Sequence, residues 1–324
     1  MIVCCGEALI DMLPLNGGTG FLPCPGGSPY NTAIAISRLG TPVGFLGRLS
    51  TDFFGELLVN RLIENKVETG LIVRSGENST LAFVQLEPGK EPRYVFYTEG
   101  TADRSLRLAD LPITLPEKTS SILFGSIAMT MEPVASAIES LVFREHARGT
   151  SGPVISVDPN IRPFMIGNRE AYLKRFEGWV AVADIVKISE ADFAFIYPGA
   201  TTETAMEQLL CLGPRVVVTT LGAAGAMALF RQDDGGIIRV YVPVVDLPVV
   251  DTIGAGDTFH GALLSWLERE GKLSRTALAS LTEEELVEAL FFANKAASLV
   301  CSKQGANPPT RAEVEALKFG NHGG

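Results

Sequence analysis

The stretch Asp251-Thr252-Ile253-Gly254-Ala255-Gly256-Asp257-Thr258 sets two glycines and a carboxylate just ahead of Phe259, Ala262, Leu263, Trp266 and Leu267, an apolar set with helical spacing. The first N–H groups of a helix have no partner within it, and the helix dipole makes that end positive. Small residues there let an anion approach the backbone, which suits a phosphate group. A carboxylate in the same turn repels that phosphate unless it has a task of its own. Taking the proton from an attacking hydroxyl is such a task, and Asp257 is the candidate for it. Taken alone, the pattern fits a glycine turn and a helix cap equally well.

Other polar residues follow apolar runs in the same way: Asp11, Asn31, Asp158 with Asn160 and Arg162, Lys187 and Thr220. Each by itself is more often a cap or an ion-pair partner. Together they mark one rim of a sheet, and open α/β sheets bind their ligands at the carboxyl ends of the strands.

Periodicity places the strands and helices that carry these residues. Residues 2–5 read as a buried first strand, with Glu7 and Asp11 at or beyond its end. Residues 16–29, rich in Gly and Pro, read as a loop or short hairpin. A helix runs from Pro29 to its stop at Gly40. Residues 43–46 form a strand and 52–65 a helix, while 81–86 and 93–97 are β-like and joined by a turn-rich 87–92. From Ser121 the chain alternates: strands at 122–124, 154–157, 185–188 and 215–219, helices at 132–148, 168–183 and 202–212. Residues 240–250 supply a strand and the approach to Asp251. Thr282 and Glu285 form a capping box ahead of a helix whose apolar face is Leu286, Leu290, Ala293, Ala297 and Val300. The alternation predicts one α/β domain over 1–324 with a mostly parallel central sheet and helices on both faces. The polar tail after Lys318 is expected to fray.

Composition narrows the class. A chain of 324 residues with 46% hydrophobic and 20% charged residues fits a soluble enzyme. The net charge of −10, with no basic run, argues against nucleic acid as a partner. Five cysteines without a CxxC pair suit reduced thiols. The first residues lack a signal-peptide pattern, and the longest apolar stretch is too short to span a bilayer, so a soluble cytoplasmic protein is expected. There is no GxxxxGK[ST], no HExxH and no dinucleotide fingerprint, and three histidines leave little for a histidine-rich metal site.

Two signatures carry a family resemblance: Gly26-Gly27-Ser28-Pro29-Tyr30-Asn31-Thr32-Ala33 with Gly40, and Asp251 to Asp257 continuing to Gly261-Ala262-Leu263. With both in order, the chain resembles the ribokinase-like (PfkB) carbohydrate kinases from Gly6 to about Gly305. Glu7 to Asp11, Phe96-Tyr97 with Thr101 to Asp103, and Asp158 to Arg162 resemble fructokinase segments; kinases of 2-keto-3-deoxygluconate share several of them.

The resemblance implies a ribokinase-like fold, ATP with Mg²⁺, and transfer of the γ-phosphate to a fructose hydroxyl. By position it implies Asp257 as the base, and Gly254, Ala255 and Gly256 as an anion hole. It sets Asp11, Gly27 and Asn31 on the sugar, with Tyr97, Arg104 and Arg162 as further contacts to sugar or phosphate. Lys187, Thr220, Gly222, Gly225 and Asn294 fall at the nucleotide. Asp251 and the carbonyls of Ile253, Val300, Lys303 and Gly305 fall at a monovalent cation such as K⁺. A β-lid from about 11–25 and 80–100, hinged near Gly26 and Gly100, would cover the sugar and pair two subunits into a homodimer. Two departures stand out. Ser50 replaces a common Gly, and an Asn-x-x-Glu motif tied to magnesium is shortened to Ser189-Glu190-Ala191-Asp192. The other readings to be separated are another family sugar kinase and a non-catalytic sugar-binding protein.

Overall fold

The computed structural model describes residues 1–15, 20–85 and 93–317. Its strands are β1 (Ile2–Cys5), β2 (Leu9–Pro14), β3 (Phe21–Gly26), β4 (Val43–Ser50), β5 (Ile72–Ser75), β6 (Leu81–Gln85), β7 (Arg93–Tyr97), β8 (Ser121–Gly125), β9 (Val154–Asp158), β10 (Ile185–Ser189), β11 (Val216–Thr220), β12 (Ala226–Arg231) and β13 (Ile237–Val242). Its helices are α1 (Ser28–Arg38), α2 (Phe53–Glu64), α3 (Val134–His146), α4 (Arg169–Val182), α5 (Glu190–Ile196), α6 (Thr202–Leu212), α7 (Ala255–Arg269), α8 (Arg275–Ala279), α9 (Glu283–Cys301) and α10 (Arg311–Ala316).

The core is built on β1, whose four residues are all buried. Successive side chains of a strand point to opposite faces. Ile2 and Cys4 therefore join one apolar layer with α1, α2, α7 and α9, while Val3 and Cys5 join the other with α3, α4, α5 and α6. A strand covered on both faces has to be apolar at every position, and this one is.

β1 pairs in parallel with β4 and β8 inside a nine-stranded sheet of order β13-β12-β11-β10-β9-β8-β1-β4-β5. All pairings are parallel except β11–β12 and β12–β13. This is the ribokinase-like α/β fold. A second sheet, β3-β2-β6-β7, is four-stranded. Among the described residues, no helix is long and apolar enough to cross a membrane.

Capping explains several boundaries. Asp52 accepts from Gly55 N at the start of α2, and Thr282 with Glu285 closes the expected box at α9. β5, β12, α5, α8 and α10 are additions to the sequence reading. β12 lies just past Gly225, where the glycines read as a break in one apolar run. α5 begins at a second capping box, Ser189 with Asp192. The turn-rich 87–92, part of the 16–29 loop and the tail from Lys318 lie outside the described residues.

Candidate active site

Gly254 caps α7 with φ 75°, and a Cβ there would stand 2.9 Å from the Ala306 Cβ. Only glycine takes up that left-handed turn without strain. The first helical bond is Thr258 N to Gly254 O at 2.8 Å, so the N–H groups of Ala255, Gly256 and Asp257 lie ahead of the ladder. Ala255 N donates to Thr252 O at 3.2 Å, a bond that an incoming anion has to outcompete.

Asp257, in the first turn of α7, is 8% exposed. Its Oδ1 accepts from Ser28 Oγ at 2.6 Å and its Oδ2 from Asn31 Nδ2 at 3.0 Å, both from the first turn of α1. Burial raises its carboxyl above the ordinary range, the two hydrogen bonds pull it back, Asp158 raises it and Lys187 lowers it. The start of α1 is itself anchored. Glu7 accepts from Ser28 N at 3.2 Å and from Ala128 N at 3.1 Å. Burial pushes the Glu7 carboxyl up to about 7.

A cavity of about 300 Å³ opens at this point, lined by Asp11, Gly27, Ser28, Asn31, Asn160, Arg162, Lys187 and the turn from Thr252 to Asp257. Leu9 and Asp11 from β2, with Tyr94 and Phe96 from β7, bring the small sheet over it. Burial pushes Asp11 up to about 6, against the pull of Arg162 and with the push of Asp257. Arg162 Nη1 is oriented by Asn160 Oδ1 at 2.8 Å.

Beneath the cavity lies an ion pair, Lys187 Nζ to Asp158 Oδ2 at 2.8 Å, each side chain 5% exposed. Burial lowers the Lys187 pKa, but Asp158 together with Asp192 and Asp257 more than offsets it, and the net shift is upward. The ammonium lies under the anion turn, where a Cβ on Gly256 would stand 3.0 Å from it. His260, one turn below Asp257, is held neutral by burial and by Lys187, and its Nε2 meets Ser156 Oγ at 2.7 Å.

A second cavity of about 380 Å³ is lined by Thr220, Gly222, Gly225, Asn294 and an apolar wall including Val249, Phe259 and Ala297. Thr252, Ala255 and Gly256 line both cavities. The helix start is thus the shared boundary, with polar side chains on one side and an apolar slot fit for a planar ring on the other. Asn294 is oriented by the carbonyls of Val242 and Pro243.

The structure therefore gathers Asp257, Gly254, Ala255, Gly256, Asp11, Gly27, Asn31 and Arg162 at the first cavity, and Thr220, Gly222, Gly225 and Asn294 at the second. Lys187, expected at the nucleotide, lines the first. Tyr97 and Arg104 are not brought to either. Tyr97 is 61% exposed on the opposite face of β7 and packs edge-on against Phe83. Period-2 alternation gives the inward places to Tyr94 and Phe96 instead. Arg104 pairs with Glu99 and with the Glu132 carbonyl. Asp251 accepts from Ile253 N at 3.0 Å and from Gly305 N at 2.9 Å, which joins the two loops read as a cation site. Asp192 is fully engaged: Oδ1 accepts from Ile161 N, and Oδ2 accepts from the Ser189 N and Oγ. Ser28 was read only as part of the first signature and given no role at the site, because a serine beside a proline signals a helix start.

Residues 1–313 match the family described as "pfkB family carbohydrate kinase". The chain is 39% identical over 289 residues to a fructokinase of Rhizobium leguminosarum bv. trifolii, covering 88% of this chain and 85% of that one. A crystal structure of a Xylella fastidiosa fructokinase with bound ATP superposes with TM-score 0.88 at 30% identity, covering 97% of each chain. A Vibrio cholerae O395 fructokinase in fructose-, ADP- and calcium-bound form does so with TM-score 0.83 at 26% identity, again over 97% of each.

Proposed function

This chain belongs to the pfkB family of carbohydrate kinases, and from that premise we propose that it phosphorylates fructose at the primary 6-hydroxyl, with MgATP as the donor. The observation that carries this reading is the position of Asp257 at the boundary of a polar cavity and an apolar slot that share one helix start. Fructose sits in the first cavity, held by Asp11, Asn31, Gly27 and Arg162. The adenine sits in the second, against Gly222, Gly225 and Asn294, with Thr220 at the phosphates. The 6-hydroxyl oxygen attacks the γ-phosphorus, Asp257 takes its proton, and the bond to the β–γ bridging oxygen breaks to release ADP. The N–H groups at the start of α7 and the Lys187 ammonium face the negative charge on the transferred group, and positioned charge of this kind is what phosphoryl transfer needs most.

Mg²⁺ arrives with ATP as part of the substrate. It keeps several waters and the phosphate oxygens. The three hydrogen bonds on Asp192 support a role for that residue in holding the 160–162 loop rather than in direct metal contact. The tie between Asp251 and Gly305 supports a K⁺ site formed by Asp251 with the carbonyls of Ile253, Val300, Lys303 and Gly305. The small sheet acts as the lid. Its outer face shows Phe21, Val95 and Tyr97 at 45, 56 and 61% exposure, an apolar surface suited to a homodimer. Five unpaired thiols suit a cytoplasmic setting.

Asp11→Ala is expected to raise the fructose KM by about 10- to 100-fold with a smaller change in kcat, the usual scale for a hydrogen bond to a charged group. An unmoved KM takes Asp11 out of sugar binding. The ionised carboxylates are the competent forms, and burial raises the pKa of both Asp11 and Asp257. Accordingly kcat/KM should be full at neutral pH and fall as pH drops through about 6, as a property of the pair. A profile flat down to pH 5 contradicts this assignment. The substrate itself is tested by ADP release from MgATP with K⁺ present, against fructose, 2-keto-3-deoxygluconate, ribose, glucose and adenosine. Fructose is expected to give the highest kcat/KM. A higher value for another member moves the substrate, and silence across the panel favours a non-catalytic protein.

A further inference from the structure

Both oxygens of Asp257 are engaged by protein donors before any sugar arrives, Oδ1 by Ser28 Oγ at 2.6 Å and Oδ2 by Asn31 Nδ2 at 3.0 Å. A general base works only on a proton within hydrogen-bond reach. The Ser28 side chain is a CH₂–OH group, the same group that a primary alcohol of a sugar presents, and it lines the cavity in which the sugar is placed. Its backbone is fixed, since Ser28 N donates to Glu7 Oε1 and its carbonyl accepts from Thr32 Oγ1 at 2.9 Å. The freedom left is χ1, and a change of staggered rotamer swings the hydroxyl away from Asp257 while α1 stays in place.

We propose that Ser28 is a positioning residue that stands in for the sugar hydroxyl: it caps Asp257 in the sugar-free enzyme and yields its place when the primary alcohol enters. The proposal rests on the kinase reading above. Its consequence concerns water, the acceptor that competes with the sugar in any kinase. In that side reaction a water oxygen attacks the γ-phosphorus, Asp257 takes the water proton, the bond to the bridging oxygen breaks, and ADP and inorganic phosphate leave. A hydroxyl held on Oδ1 occupies the place that water needs.

The test compares wild type, Ser28→Ala and Ser28→Thr for ADP release from MgATP without sugar and at saturating fructose, with thermal melts alongside. Ala is tolerated at a first helical position that faces a cavity. Ser28→Ala should raise the ratio of sugar-free to fructose-dependent release by about tenfold, the scale of one hydrogen bond to a charged group. Ser28→Thr keeps the hydroxyl, and its ratio should stay within about twofold of wild type. A ratio unchanged in Ser28→Ala, or raised equally in Ser28→Thr, overturns the proposal while the kinase reading stands. A wild type with no sugar-dependent release on any sugar sinks the kinase reading and this proposal with it.

Discussion

Asp257→Asn is expected to bind MgATP and fructose with near wild-type affinity and to turn over at least ~10²-fold more slowly, the lower end of what a positioned base contributes. The carboxylate faces the cavity at the first turn of α7, Asn31 holds its Oδ2 while Ser28 holds Oδ1 in the sugar-free enzyme, and burial raises its pKa. Asparagine keeps the volume and loses the proton acceptor. The split between binding and turnover is the signature: calorimetry should show both ligands bound, and steady-state kinetics should show the loss in kcat. A folded variant with turnover near wild type would remove Asp257 from the base role.

Lys187→Met should cost both stability and rate. Removing one partner of a buried pair leaves the other charge without compensation, and Asp158 would be stranded at 5% exposure. The expected loss is about 3–5 kcal/mol of unfolding free energy, read from urea denaturation. Turnover should also fall on the order of 10²-fold, because a preorganised positive group beneath the transferred phosphate is gone. The double variant Lys187→Met with Asp158→Leu separates the two effects. It should regain much of the stability, since no lone charge remains, and none of the turnover. Stability near wild type in Lys187→Met, or activity restored in the double variant, would show that the pair serves a different purpose.

Much of the frame was legible because local chemistry states it. The apolar run at β1, the glycine turn ahead of Asp257 and the box at Thr282 each declare an element boundary within a few residues. The site residues at strand ends were legible for the same reason, since a polar side chain directly after an apolar run has few places to go in an α/β sheet. What was hidden depends on pairing across the chain. Whether Tyr97 or Phe96 faces the first cavity is set by the register of β7 on β6 and of β6 on β2, where Asp11 lies opposite Ala82 and Ala82 opposite Phe96. No local pattern encodes that register. The partnership of Lys187 with Asp158, and of Ser28 with Asp257, likewise arises only when β9, β10, α1 and α7 converge. β12 was hidden by Gly225, which marks a tight turn between two paired strands and reads in one dimension as an interruption.

In the proposed reaction Asp257 directs the γ-phosphate of ATP onto the primary 6-hydroxyl of fructose. The most direct measurement is the ³¹P and ¹³C NMR spectrum of a reaction of wild-type enzyme with MgATP and fructose, followed beside ADP release. A phosphate monoester on carbon 6 is expected, formed in step with ADP and almost absent with Asp257→Asn. ADP accompanied only by inorganic phosphate, an ester on another carbon, or the same ester at an undiminished rate from Asp257→Asn would contradict it.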